Sequence, residues 1–441
     1  MFTKKVYFLI ETKKRELNSQ LTIVNKLINK NIECYIVSKK QFLSKCDVIE
    51  PGIILFKSIG TRNIEIIKFL KKLGHKLACL DSEGLSILNK KQILERVDVK
   101  NLNELEYFFC WGNYSLNIIR SFYPEYKKKL ITTGNPKFDI IKNYSKNKIF
   151  NKEVTEINKK YPEFILFLTM FTVVNPLKRY GFTDKKQSLE TIGFKRDKKL
   201  IELGKKFYNF QAKNLDFFLK SIVYVSEKFP NKLIVVRPHP TENIEFWKNK
   251  LKKYKNIKVI YDVKDTISWL ISSEINFSIN CTTSLESYFL NKISYNLVKV
   301  NEKDVEYNWI LNTSKKISSL KLIDKIIKNK KNIIIKKPNL HLVDILYNFG
   351  IKTDSANKIS SHIAKICFLS IKNKTKFHRY YKSKIFKFLK KIKLLKEDII
   401  YKQKIDKIDV KEVKEKMSLI RKKNNFIVDE LYPDFIRVYK K

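Results

Sequence analysis

The strongest constraint in the chain is an alternation. From residue 5 to about residue 300, short runs of β-branched and aromatic residues take turns with longer stretches whose apolar side chains recur at helical spacing, the pattern that builds parallel sheets covered by helices. A first set of strands is expected at Val6 to Glu11, Glu33 to Val37, Ile53 to Lys57, Lys76 to Leu80, Tyr107 to Trp111 and Lys129 to Thr132. The segment Asn63 to Leu73, with Ile64, Ile67, Phe69 and Leu70 on or near one face, is the helical counterpart.

A polar stretch rich in Asn and Lys, Lys142 to Lys160, interrupts the pattern and reads as a connection between domains. A second set of strands follows at Phe164 to Leu168, Lys232 to Val236, Ile257 to Tyr261, Ile275 to Ile279 and Ser294 to Val300. Helices are expected near Asp197 to Phe229, Asn243 to Lys253, Thr266 to Ser273 and Thr283 to Asn291. The fold class is therefore α/β: a Rossmann-like domain over 1–145, a second over 160–340, and a basic helical extension over 341–441 with no trustworthy strand signal.

Composition bounds what such a chain does. Apolar residues make up 44% of it and Gly and Pro number only ten each, which excludes a collagen-like or low-complexity chain. The net charge of +47 suggests an anionic partner, but the basic residues are 81 Lys against 10 Arg. Nucleic-acid sites favour Arg for bidentate and stacked contacts, so a basic binder of nucleic acid or another anionic polymer stands only as the non-enzymatic alternative. The six cysteines show neither CxxC nor a zinc-like spacing with His, and no metal is expected. The longest apolar run, Phe164 to Val174, falls well short of the roughly 18 residues a span needs, so the protein is expected to be cytoplasmic.

Three strand ends concentrate chemistry. After Val235-Val236 comes Arg237-Pro238-His239-Pro240-Thr241-Glu242, where two prolines stiffen a loop that aims His239 and Arg237 beyond a strand's carboxyl end, the place where open α/β sheets bind ligands. Such a histidine donates a hydrogen bond or proton to a departing phosphate, or else belongs to a rigid turn. The strand at Ile275 runs into Cys281-Thr282-Thr283-Ser284-Leu285-Glu286. Its hydroxyls at a helix start suit a phosphate, although a capping box between Thr282 or Thr283 and Glu286 explains them too. Finally Asp81-Ser82-Glu83-Gly84 places two carboxylates at a strand end, as acid, base or nucleophile, or with Asp81 as a helix cap.

With Thr133-Gly134-Asn135-Pro136-Lys137-Phe138-Asp139 closing the first half, these motifs resemble the GT-B-fold glycosyltransferases of bacterial surface-polysaccharide synthesis, nearest to the surface carbohydrate biosynthesis family. That family is related to the CMP-sugar users, the sialyltransferases and the β-Kdo transferases. The likeness covers residues 1 to 310 or so. It implies that His239-Pro240 and Thr282, Thr283 and Ser284 hold the nucleotide phosphate, with Arg237 assisting, and that Asp81 or Glu83 carries the catalytic carboxylate. It further implies transfer of a Kdo-like or sialic-like ulosonic acid from its CMP derivative, as donor substrate, to a lipid-linked or oligosaccharide acceptor, with no further cofactor. A CDP-glycerol-type polyol-phosphate transferase or a UDP-sugar 2-epimerase uses the same fold and is the enzymatic alternative. Lys376 to Lys396, with eight Lys, one Arg and no acid, has the make-up of a helix that lies on an anionic inner membrane surface, or of a helix packed on the core with its lysines in water.

Overall fold

The computed structural model of the chain describes residues 4–46, 48–60, 63–85, 87–177, 189, 194, 197–262, 264–302, 304–329, 354–367, 407–421 and 425–441. The chain forms two compact units. The first comprises Met1–Leu85, Ile93–Ile149 and Asp344–Lys441, the second Ser86–Gln92 and Phe150–Val343.

The first unit is built on β1 (Lys5–Ile10), β2 (Glu33–Ser38), β3 (Ile53–Phe56), β4 (Lys76–Leu80), β5 (Tyr107–Cys110) and β6 (Leu130–Thr132). These pair in parallel in the order β2-β1-β3-β4-β5-β6. Parallel strands are covered on both faces and so read as continuous apolar runs. The sequence Ile53-Ile54-Leu55-Phe56 is buried at every position. The helix Lys13–Ile28 lays Leu17, Leu21, Val24, Leu27 and Ile28 on this sheet, in one core with Val6, Phe8 and Ile10. Because β2 and β3 flank β1 on opposite sides, the order reverses between β1 and β3, and a crevice opens at their carboxyl ends.

The second unit carries β7 (Phe164–Leu168), β8 (Leu233–Arg237), β9 (Ile257–Val259), β10 (Ile275–Ser278), β11 (Ser294–Leu297) and β12 (Lys315–Ile317). All are parallel, in the order β12-β11-β10-β7-β8-β9, so the reversal lies between β7 and β10. Helix Lys198–Lys228 runs 31 residues, about 46 Å at 1.5 Å per residue. Two buried amides in it peg the loops that leave the sheet. Gln211 accepts the Val173 N–H and donates to the Met170 carbonyl (3.0 and 2.9 Å), and Asn214 accepts from Lys299 and Val300 N–H (2.7 and 3.0 Å). The stretch expected to be a connection contains helix Asn151–Lys160, whose Glu153 accepts from the Asp265 N–H and Ser268 hydroxyl at the start of helix Thr266–Ser272.

The C-terminal hundred residues are not the purely helical extension the sequence suggests. Helices Ser355–Cys367 and Val410–Arg421 join the core of the first unit through Ile359, Ile363, Ile366, Val413 and Met417. Then β13 (Phe426–Tyr432) and β14 (Phe435–Lys440) form an antiparallel hairpin that pairs β14 against β2 and widens the first sheet to eight strands. Phe435, Ile436 and Val438 are buried; each such side chain contributes about 1.5–3 kcal/mol. The segment Lys376 to Lys396 lies outside the described residues. Among the described residues no helix is long and apolar enough to cross a membrane.

Candidate functional site

In the second unit the loops after β7 and β8 are tied together at the carboxyl edge of the sheet by a residue the sequence reading passed over. Glu242 is buried, and its Oε1 accepts from the Thr169 hydroxyl (2.7 Å), the Phe171 N–H (2.9 Å) and the His239 N–H (3.3 Å), while Oε2 accepts from Trp247 Nε1 (2.9 Å). Burial raises its pKa, opposed by these four donors. The signal was an acid just after a rigid Pro-His-Pro turn, before a helix.

On that scaffold His239 is half-buried and its Nδ1 accepts the Thr241 backbone N–H at 3.3 Å, with the Thr241 hydroxyl 2.9 Å away. A neutral ring that accepts this N–H on Nδ1 carries its proton on Nε2. Pro238 is buried and Pro240 half-buried beside it. Arg237 takes a different place from the one expected. Its Nη2 donates to Asp262 (3.0 Å) and to the Lys264 carbonyl (3.3 Å), and its guanidinium stacks 5.0 Å from the Trp269 ring, whose Nε1 also donates to Asp262. It is 7% exposed; burial lowers its pKa and Asp262 opposes that. Arg237 thus braces the end of β8 from inside.

The three hydroxyls after β10 part company. Helix Thr283–Phe289 begins with Thr282 half-buried at the cap position and making no side-chain cap bond, so the capping box does not form. Thr283 is buried with an Oγ1 that has no hydrogen-bond partner. Ser284 faces the core, donating to the Cys281 carbonyl (3.1 Å) and meeting Thr313 Oγ1 (3.0 Å).

In the first unit the two carboxylates separate as sharply. Asp81 is buried and held by Arg96, and it accepts the Glu83 N–H at 3.1 Å. Glu83 is exposed and lies 3.9 Å from Arg15. Gly84 serves a close approach, since a Cβ there would stand 2.4 Å from the Trp111 ring, and Trp111 Nε1 donates to the Asp81 carbonyl. At the crevice between β1 and β3 lies a charge cluster the sequence reading missed. Lys57 sits 3.3 Å from Glu11 and 3.1 Å from Glu16, and Lys39 sits 3.1 Å from Glu11. Burial pushes both carboxyls up; in Glu11 the two lysines overcome it and hold the pKa at about 2, while Glu16 stays raised. Each of these charges directly follows a strand or opens the first helix, a placement visible only once the strands are paired. Among the described residues no group of three or more His, Cys, Asp or Glu is placed to hold a metal.

No protein-family model matches the chain, and no curated protein does. Solved structures are similar to it at low identity. The UDP-GlcNAc 2-epimerase of Methanocaldococcus jannaschii superposes with a TM-score of 0.50 at 14% identity, over 82% of this chain and 99% of that one. S. aureus MnaA, solved with UDP, gives 0.49 at 12% identity over 86% and 100%. The wall teichoic acid polymerase TagF gives 0.41 at 10% over 80% and 97%. The likeness to the Methanocaldococcus jannaschii epimerase shows the fold: two parallel-sheet α/β domains of the GT-B type.

Proposed function

We propose that the protein is an enzyme of surface-carbohydrate synthesis that acts on a nucleotide-linked sugar or polyol, and that the nucleotide's phosphates are received at the carboxyl edge of the second unit's sheet. The observation that carries this reading is the histidine: the turn anchored on Glu242 holds His239 past the end of β8, with Nδ1 at the Thr241 N–H, and a histidine in that place is a hydrogen-bond donor for a phosphate. A donor positioned in advance stabilises negative charge on a leaving phosphate at no reorganisation cost. Thr283, in the same unit past the end of β10, holds a second hydroxyl without a protein partner. Between the two enzymatic readings, the likeness to an epimerase of UDP-GlcNAc favours a nucleoside diphosphate carrier over a CMP-linked ulosonic acid.

The test is a binding panel of UDP, UMP, CDP, CMP and pyrophosphate, read by thermal stabilisation. A diphosphate ligand present at about 100 times its Kd should add about 2.7 kcal/mol of stability, and His239→Ala should weaken it by ~10² with the unliganded fold unchanged. Binding of no nucleotide, or undiminished binding by His239→Ala, overturns the reading. Selective binding of CMP restores the ulosonic acid transferase.

A further inference from the structure

Between β11 and helix Asn308–Thr313 the chain passes the carboxyl end of β10, and one side chain holds it there. Asn280, just past β10 and with φ of 42°, donates from Nδ2 to the Val305 carbonyl (2.9 Å) and accepts the Tyr307 N–H on Oδ1 (3.3 Å). Its own N–H is fixed by Asn296 at 2.9 Å. Glu306 lies between the two residues so pinned, past the carboxyl end of β10, and ligands of open α/β sheets are bound beyond the carboxyl ends of the strands.

Glu306 is 9% exposed. Its Oε2 accepts the Glu302 N–H at 3.1 Å, but its Oε1 is buried without a hydrogen-bond partner. A buried acceptor left unsatisfied carries its full desolvation penalty, and carboxylates carry more than neutral groups. A carboxylate only accepts, so what satisfies it is an O–H or N–H, and a phosphate is repelled.

We propose that Glu306 is a specificity-determining residue that accepts a hydrogen bond from a hydroxyl of the bound ligand, and that Asn280 is the positioning residue that holds it at the end of β10. The inference rests on the nucleotide reading above and deepens it by naming where the ligand's hydroxyls are recognised. Two parts of such a ligand carry hydroxyls, the ribose and the sugar or polyol linked through the phosphates.

The experiment compares UDP, 2′,3′-dideoxy-UDP, UDP-GlcNAc and pyrophosphate by calorimetry on the wild-type chain and on Glu306→Gln, with circular dichroism as the folding control. If the ribose is the partner, wild type binds UDP roughly tenfold or more tighter than the dideoxy analogue; if the linked sugar is, it binds UDP-GlcNAc tighter than UDP by a similar factor. In Glu306→Gln that preference falls to about twofold or less while pyrophosphate binding stays unchanged. Wild type alone decides the matter if the variant does not fold, because equal affinity for all three nucleotides overturns the proposal. So does a preference that persists in Glu306→Gln, or an equal weakening of every ligand including pyrophosphate. Nucleotide binding without dependence on Glu306 removes only this inference, whereas a chain that binds none of the probes removes the nucleotide reading with it.

Discussion

A single guanidinium nitrogen, Arg96 Nη2, stands 2.6 and 2.5 Å from the two carboxylate oxygens of Asp81. Both acceptors of Asp81 are thereby occupied inside the first unit, and the exposed carboxylate of the motif is Glu83, two residues on. The resemblance left the two unranked; their difference in burial gives them different expected responses to mutation.

Asp81→Asn should therefore be a folding variant, because it leaves Arg96 mostly buried without its counter-charge, at a cost of about 3 kcal/mol. Glu83→Gln should stay within about 0.5 kcal/mol of wild type in stability and, under the proposed function, lose turnover by ~10². Urea unfolding paired with a turnover assay checks both. A stable Asp81→Asn beside a fully active Glu83→Gln sinks this division of roles.

The hydroxyl trio makes an opposite pair of expectations. Ser284→Ala removes a hydroxyl bonded in the core and should cost about 1–2 kcal/mol with little direct effect on ligand. Thr283→Val keeps the shape and deletes an oxygen with no partner, so the unliganded protein should be equally stable or gain up to about 1 kcal/mol while nucleotide binding weakens. Loss of stability in Thr283→Val with intact binding would show that its oxygen is satisfied within the fold.

What was legible in the sequence follows from burial. Strands covered on both faces are mostly apolar, so β4 and β7 are where the runs Lys76 to Leu80 and Phe164 to Leu168 put them. The hairpin of β13 and β14 was hidden because β13 is an edge strand whose second half, Asp429-Glu430-Leu431-Tyr432, is partly or fully exposed and polar enough to read as loop. Its partner β2 lies some 400 residues away in sequence, beyond any local pattern. Arg237 shows the same limit at the site. Its place at a strand end was readable, but Asp262, 25 residues on, decides which way its charge is spent. Glu242 was readable as an acid and unreadable as a hub, since its four donors come from four separate positions.

Glu242 therefore offers a positional test. Glu242→Ala strands four donors, three of them backbone or indole N–H groups, and should destabilise the second unit by at least about 3 kcal/mol. Glu242→Gln retains one acceptor and turns an amide N–H2 toward a donor, so a smaller loss of about 1–2 kcal/mol is expected. Both should reduce nucleotide affinity because the His239 loop loses its anchor. Unchanged affinity in a folded Glu242→Gln would separate that anchor from the binding site.

The last expectation concerns pH. Asp139, in the motif that closes the first half, accepts from the Ser355 hydroxyl (3.2 Å) and the Ala356 N–H (3.3 Å) at the start of helix Ser355–Cys367. Burial raises its pKa from 3.8 to about 6, although both bonds and Lys142 oppose the rise. The folded chain thus keeps this proton over a range in which the unfolded chain has released it. The resulting stabilisation is complete below about pH 4 and is lost as the pH climbs through about 6; the interval between 3.8 and about 6 corresponds to about 3 kcal/mol at most. Asp139→Asn keeps the neutral form at every pH, so it should match wild type near pH 4 and exceed it in stability by about 1–3 kcal/mol at pH 7.5. Unfolding curves at half-unit steps between pH 4 and 8 measure the divergence. Parallel stability profiles for the two proteins across that window would mean that Asp139 titrates as it does in the unfolded chain, and that the C-terminal helix is docked without its proton.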